Sequence, residues 1–89
     1  MNVIDTIKSA MRNTHLLRIK YEKKTTQEAK EYVVEPYSFR DERFFGRRID
    51  IPAPKGIRGF YISNILTATE INKTFVPIWD VEKTEYGGD

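Results

Sequence analysis

Apolar residues recur at three- and four-residue spacing at the start of the chain. Val3, Ile4, Ile7, Ala10 and Met11 stand among the polar positions Asn2, Asp5, Lys8 and Arg12, the pattern of an amphipathic helix. Asn2 is a suitable cap, and Asn13 and Thr14 end the pattern, which predicts a helix over residues 2–13. The period then changes to two. In "HLLRIKYEKK", Leu17, Ile19 and Tyr21 share one face and Arg18, Lys20 and Glu22 the other, as in a half-buried strand. The polar stretch "KKTTQEAK" forms a turn or loop, and "EYVVEPYSF" supplies a β-branched and aromatic run. Pro36 must interrupt that run because proline cannot donate a ladder hydrogen bond, so the strand bends or meets an edge there.

A third strand is predicted in "RFFGRRIDI", with Phe45, Arg47, Ile49 and Ile51 on one side and Phe44, Arg48 and Asp50 on the other. Gly46 permits a bulge or a close approach. After "PAPKG" a fourth strand follows in "IRGFYI", and "SNILTATEI" and "KTFVPIWDV" give one or two more, divided by a turn at Asn72 and Lys73. One helix followed by about five short strands predicts a mainly β domain, a small bent sheet or barrel with the helix packed on it. Without an internal repeat or linker, residues 1–89 read as a single domain: helix over 2–13, barrel over 15–83 and a flexible tail over 84–89.

The composition fits such a unit. With 39% hydrophobic and 31% charged residues the chain lies in the globular range. It contains no cysteine, which removes disulfides and thiolate chemistry. No apolar run reaches the length of a membrane span, and "MNVIDTIKSAM" lacks the form of a signal peptide, which gives a cytoplasmic reading without membrane contact. The net charge of +2 makes the placement of charge matter more than its sum.

The candidate chemistry argues against an enzyme. His15 is the single histidine, and no motif supports a catalytic triad around it. Asp41 and Glu42 fall in a solvated turn, and no clustered His, Asp and Glu suggest a metal. Gly46, Gly56 and Gly59 match neither nucleotide fingerprint, so neither cofactor nor metal is expected.

A local excess of guanidinium remains. Arg40, Arg43, Arg47, Arg48, Lys55 and Arg58 outweigh Asp41, Glu42 and Asp50 over the same stretch. The planar fork of arginine suits bidentate phosphate binding and its flat face stacks on rings. Because neighbours on a strand face opposite ways, only one of Arg47 and Arg48 can belong to a given pocket. The same residues also read as a solvated surface paired with the nearby acids. Among the aromatics, Tyr21, Phe45, Phe60 and Trp79 read as core, whereas Tyr37, following Pro36, reads as an edge residue that either presents its hydroxyl to a ligand or does not.

The ordered segments "LLRIKYEKK", "VVEPYSFR", "RFFGRRID", "IRGFYISNI" and "KTFVPIWDV" resemble the WYL domain family across nearly the whole chain. The IxY strand falls at Ile19 to Tyr21, the proline turn at Pro36 to Phe39 and the RxF strand at Arg58 to Phe60. The sequence departs from the family where Phe44, Phe45 and Gly46 replace Trp-Tyr-Leu and where Asn64 replaces an arginine. The resemblance implies an SH3-like or Sm-like β-barrel of about five strands that senses a ligand in transcription regulators and defence-linked proteins, here isolated from any helix-turn-helix. It implies ligand contacts from Arg58, from Tyr37, Ser38 and Arg40 of the proline turn, and from Arg47 or Arg48.

These readings lead to a non-enzymatic regulatory module that binds a short single-stranded nucleic acid or a nucleotide in a basic, aromatic pocket. The alternative is a protein-interaction or oligomerisation module, in which an exposed strand edge takes a protein partner or a second copy.

Overall fold

A computed structural model describes residues 2–81 of the chain. Helix α1 runs over Val3–Asn13, with the Asn2 side chain accepting a hydrogen bond from the Asp5 amide. Thr14 follows in the left-handed conformation and its amide closes the last turn. Five strands come next: β1 His15–Glu22, β2 Ala29–Arg40, β3 Arg43–Arg48, β4 Ile57–Tyr61 and β5 Ile65–Thr74. They form one antiparallel sheet in the order β4-β3-β2-β1-β5. The mainly β fold with one helix and five strands is as predicted, but the sheet is curled and not closed by a ladder between β4 and β5.

The curl follows from the connections. The edge strands β4 and β5 are consecutive and joined only by a 3₁₀ turn over Ile62–Asn64, so the sheet must bring its two edges together at that end. The Tyr61 amide of β4 donates to the Tyr21 hydroxyl of β1 at 3.0 Å. In a flat sheet those strands would lie roughly 14 Å apart.

Directly paired residues share a face, so the ladders sort the side chains. Val34, Pro36, Phe39, Phe44, Gly46 and Phe60 point inward. There they join Leu17, Ile19, Ile65 and the helix residues Ile7, Ala10 and Met11 in or around one buried core. Glu35, Arg47, Ser38, Phe45, Arg40, Arg43, Ile57, Gly59 and Tyr61 pair with one another on the outer face. Pro36 acts as expected: the register shifts between Pro36 and Ser38, and the extra residue Tyr37 joins Glu35 on the outer face.

Several boundaries differ from the sequence reading. β3 ends at Arg48 and not at Ile51, where a loop containing Pro52, Pro54 and Gly56, with φ of 97°, takes over. β5 is continuous through Asn72 and Lys73, because pairing with β1 extends to His15 and Thr74. Residues 75–81 form no strand, consistent with Pro77; Phe75, Ile78 and Trp79 meet Tyr37 on the outer face and Val81 packs against the core. Phe44 is the buried ring, whereas Phe45 is half-buried and Trp79 is 40% exposed, so neither belongs to the core. The tail predicted over 84–89, like residues 82–83 of the predicted barrel, lies outside the described residues.

Candidate functional site

Alternation along β2, β3 and β4 decides where each candidate side chain goes. Arg48 pairs with Val34, and Arg58 with Gly46, so both arginines leave the sheet on the inner face, at the end where the core stops. They line a hollow of about 480 Å³ together with Lys23, Lys30, Tyr32, Glu31 and Asp50. Four cations thus meet two carboxylates. The Arg48 guanidinium lies over the Tyr32 ring at 4.8 Å and forks onto Asp50, with Nε and Nη2 donating to the two carboxylate oxygens at 3.1 and 2.6 Å. Hydrogen bonding from Arg48, with its charge and that of Arg58, holds the Asp50 carboxyl below the usual carboxylate range. Arg58 is exposed and makes no hydrogen bond or ion pair with the described residues.

Arg47, one residue earlier, faces the opposite way and is buried. Its Nε and Nη2 donate to the two oxygens of Glu35 at 3.0 and 3.3 Å. Its Nη1 donates to the carbonyls of Arg48, Ile51 and Lys55, tying the loop after β3 to the sheet. The hydrogen bond to Glu35 raises the Arg47 pKa further, against the opposing effect of burial. With its donors committed to protein acceptors, Arg47 is a structural residue and is not placed to hold a ligand.

Tyr37 belongs to the same network. Its hydroxyl donates to Glu35 Oε1 at 2.7 Å and accepts from the Ile78 amide at 3.2 Å. Its ring meets Phe75 and Trp79 edge-on. Burial, reinforced by the carboxylate of Glu35, pushes its pKa up to about 12. The edge reading is therefore corrected: only 3% of Tyr37 is exposed, and its hydroxyl is engaged within the protein. Ser38 and Arg40 lie on the outer face with Tyr37, Phe45, Ile57, Trp79 and Asp80, around a second, more apolar hollow of about 360 Å³. Arg40 also donates to the Phe39 carbonyl.

The six residues predicted as ligand contacts do not converge. Arg48 and Arg58 share the inner-face hollow, Tyr37, Ser38 and Arg40 line the outer-face hollow, and Arg47 is buried in neither. Lys23, Lys30 and Tyr32 were missed as site residues. The signal for two of them was present, since Lys30, Tyr32 and Val34 alternate onto the face that Arg48 shares. Elsewhere on the outer face Arg43 lies over Phe45 at 5.5 Å and Tyr61 at 5.8 Å, a stack for which Gly59 leaves room beneath the Phe45 ring. Among the described residues no three His, Cys, Asp or Glu side chains come together as for a metal, and no helix is long and apolar enough to cross a membrane.

Comparison with known proteins adds three findings. No curated protein is significantly similar to the chain. Among solved structures, proteasome accessory factor B/C (PafBC) of Arthrobacter aurescens shares its fold with a TM-score of 0.71 at 22% identity, over 89% of this chain and 13% of that one. This chain therefore corresponds to a small part of that protein's length, and the likeness concerns the fold. The family model of the WYL domain matches residues 2–44, from the cap of α1 through Phe44 of β3. Over that stretch this chain is similar in sequence to the WYL domain.

Proposed function

We propose that this chain is a regulatory ligand-sensing module, without catalytic activity of its own, whose inner-face hollow binds a short single-stranded nucleic acid or a nucleotide. The observation that carries this reading is the meeting of Arg48, Arg58, Lys23 and Lys30 at one end of the sheet, beside the ring of Tyr32. Guanidinium and ammonium groups offer donors to phosphates, and an aromatic ring with an arginine over it gives a base or ribose a flat surface to meet. The similarity to WYL domains supports the ligand-sensing part of the reading, and the likeness to a segment of a proteasome accessory factor is consistent with a role inside a larger regulatory assembly.

Fluorescence anisotropy with a labelled short oligothymidylate, measured across a salt series, tests the site. Arg58→Ala and Lys30→Ala should each weaken binding and flatten the dependence of log K on log salt by about 0.7. Arg40→Ala, on the other face, should leave that slope unchanged. Parallel competition by mononucleotides decides between a strand and a nucleotide. If neither inner-face variant weakens binding, the hollow is not the site. A concentration-dependent dimer in analytical ultracentrifugation, with no oligonucleotide binding at low salt, would instead favour an interaction module built on the ten-residue outer strand β5.

A further inference from the structure

Arg47 and Arg48 are sequence neighbours, and each makes a two-point fork onto a carboxylate, but the two forks differ in what surrounds them. The partner of Arg47 is Glu35, buried with it, and the remaining Nη1 of Arg47 is spent on three backbone carbonyls. The partner of Arg48 is Asp50, whose side chain is 62% exposed at the start of the loop after β3. No other hydrogen bond of the Arg48 side chain accompanies that fork among the described residues, and its flat face is already seated on Tyr32. One fork is enclosed by protein on both sides, and the other has its carboxylate open to water.

We propose that the Asp50 carboxylate stands in the phosphate subsite of the hollow, and that a ligand phosphate takes its place on Arg48. This rests on the reading of the hollow as the ligand site. Two parallel N–H donors that match a carboxylate also match two oxygens of a phosphate. Release of Asp50 requires no burial of its charge, because the side chain already faces water, and exposed ion pairs are individually weak. A phosphate in that position also gains a second cation. Arg58 interacts electrostatically with Asp50 from within the same hollow and makes no hydrogen bond or ion pair among the described residues.

The arrangement sets a threshold for ligands. A singly charged carboxylate in solution offers Arg48 nothing that Asp50 does not already supply as a tethered neighbour. A phosphate that reaches both Arg48 and Arg58 does. Asp50 thereby lowers the affinity for every anion by the strength of its own fork, and an anion that also reaches Arg58 offsets that cost.

Anisotropy with the same labelled oligothymidylate tests this directly. Asp50→Asn should bind about two- to fivefold tighter than the parent, the range that an exposed ion pair is worth, while Asp41→Asn, which removes an equal charge from the β2-β3 turn, should change affinity by less. In an Arg48→Ala background the gain from Asp50→Asn should fall towards that of Asp41→Asn, because there is no fork left to release and only the charge effect remains. Unchanged or weaker binding by Asp50→Asn, alongside weaker binding by Arg58→Ala, overturns the subsite assignment and leaves the hollow as the site. Failure of Arg58→Ala and Lys30→Ala to weaken binding removes the hollow itself, and the Asp50 assignment with it.

Discussion

Glu35 of β2 and Arg47 of β3 face each other across the sheet in a buried two-point ion pair, Nε to Oε1 at 3.0 Å and Nη2 to Oε2 at 3.3 Å. The pair anchors two things beyond itself. Through Nη1 of Arg47 it holds the loop that carries Asp50, and through Tyr37 it holds the segment around Ile78 that crosses the outer face.

Removing one partner of this pair leaves a buried charge uncompensated. Arg47→Ala should lower unfolding stability by about 3 kcal/mol or more in urea denaturation. A double replacement of Glu35 and Arg47 by leucine and methionine should recover much of that loss, since neither buried charge then remains. A loss below about 0.5 kcal/mol for Arg47→Ala would mean that the pair is open to water in solution.

Alkaline pH should act through Tyr37. Its folded pKa of about 12 lies above the ordinary 10.0, so the folded state holds this proton more tightly than the unfolded state. The stability it contributes is complete below pH 10 and is lost as pH rises from 10.0 towards 12. Ultraviolet titration should show a late tyrosine ionisation that Tyr37→Phe abolishes.

Acid should act through Glu70, where α1 docks on β5. Burial pushes the Glu70 carboxyl up, but hydrogen bonds from Ser9, Asn13 and His15 outweigh it and hold the pKa below the ordinary 4.5. A depressed folded value means that this stabilisation is present above the ordinary carboxylate pKa and is lost as pH falls through the folded one. Glu70→Gln should cost about 1 kcal/mol at neutral pH and make the acid limb of the stability profile shallower. An unaltered acid limb in chemical denaturation would count against this role.

Gly46 lies where the core has no slack. A Cβ there would come to 3.0 Å from Phe44 Cζ and 3.1 Å from Val34 Cγ2, both on fully buried side chains. Gly46→Ala should destabilise the fold by about 1–2 kcal/mol through overpacking. Gly59→Ala meets Phe45 at 2.9 Å, but that ring is only half-buried and can swing outward. Its cost in thermal denaturation should be smaller, and the Arg43 stack should loosen.

The helix of residues 3–13, the alternating strand β1 and the break at Pro36 were legible because each follows from local periodicity or from proline chemistry. The opposite facing of Arg47 and Arg48 was legible for the same reason: a strand turns successive side chains to opposite faces. The choice between Phe44 and Phe45 as the core ring was not, since either phase of the alternation places one ring inward. Pairing of Phe44 with Phe39 and Phe60, after the register shift at Pro36 to Ser38, settles it. Trp79 and the end of β5 were misread because a run of apolar residues does not reveal whether a strand is available to pair with it.

By itself, then, the sequence determined the helix, most of the strands, their order and the fact that Arg47 and Arg48 stand on opposite faces of β3, all of which depend on nearest neighbours in the chain. Only the tertiary structure decided that Arg48 meets Arg58, Lys23 and Lys30 in one hollow while Arg47 is sealed against Glu35 and Tyr37 stops at Ile78. Those meetings depend on strand register and on the curl that joins β4 to β5, and both are set by packing between residues far apart along the chain.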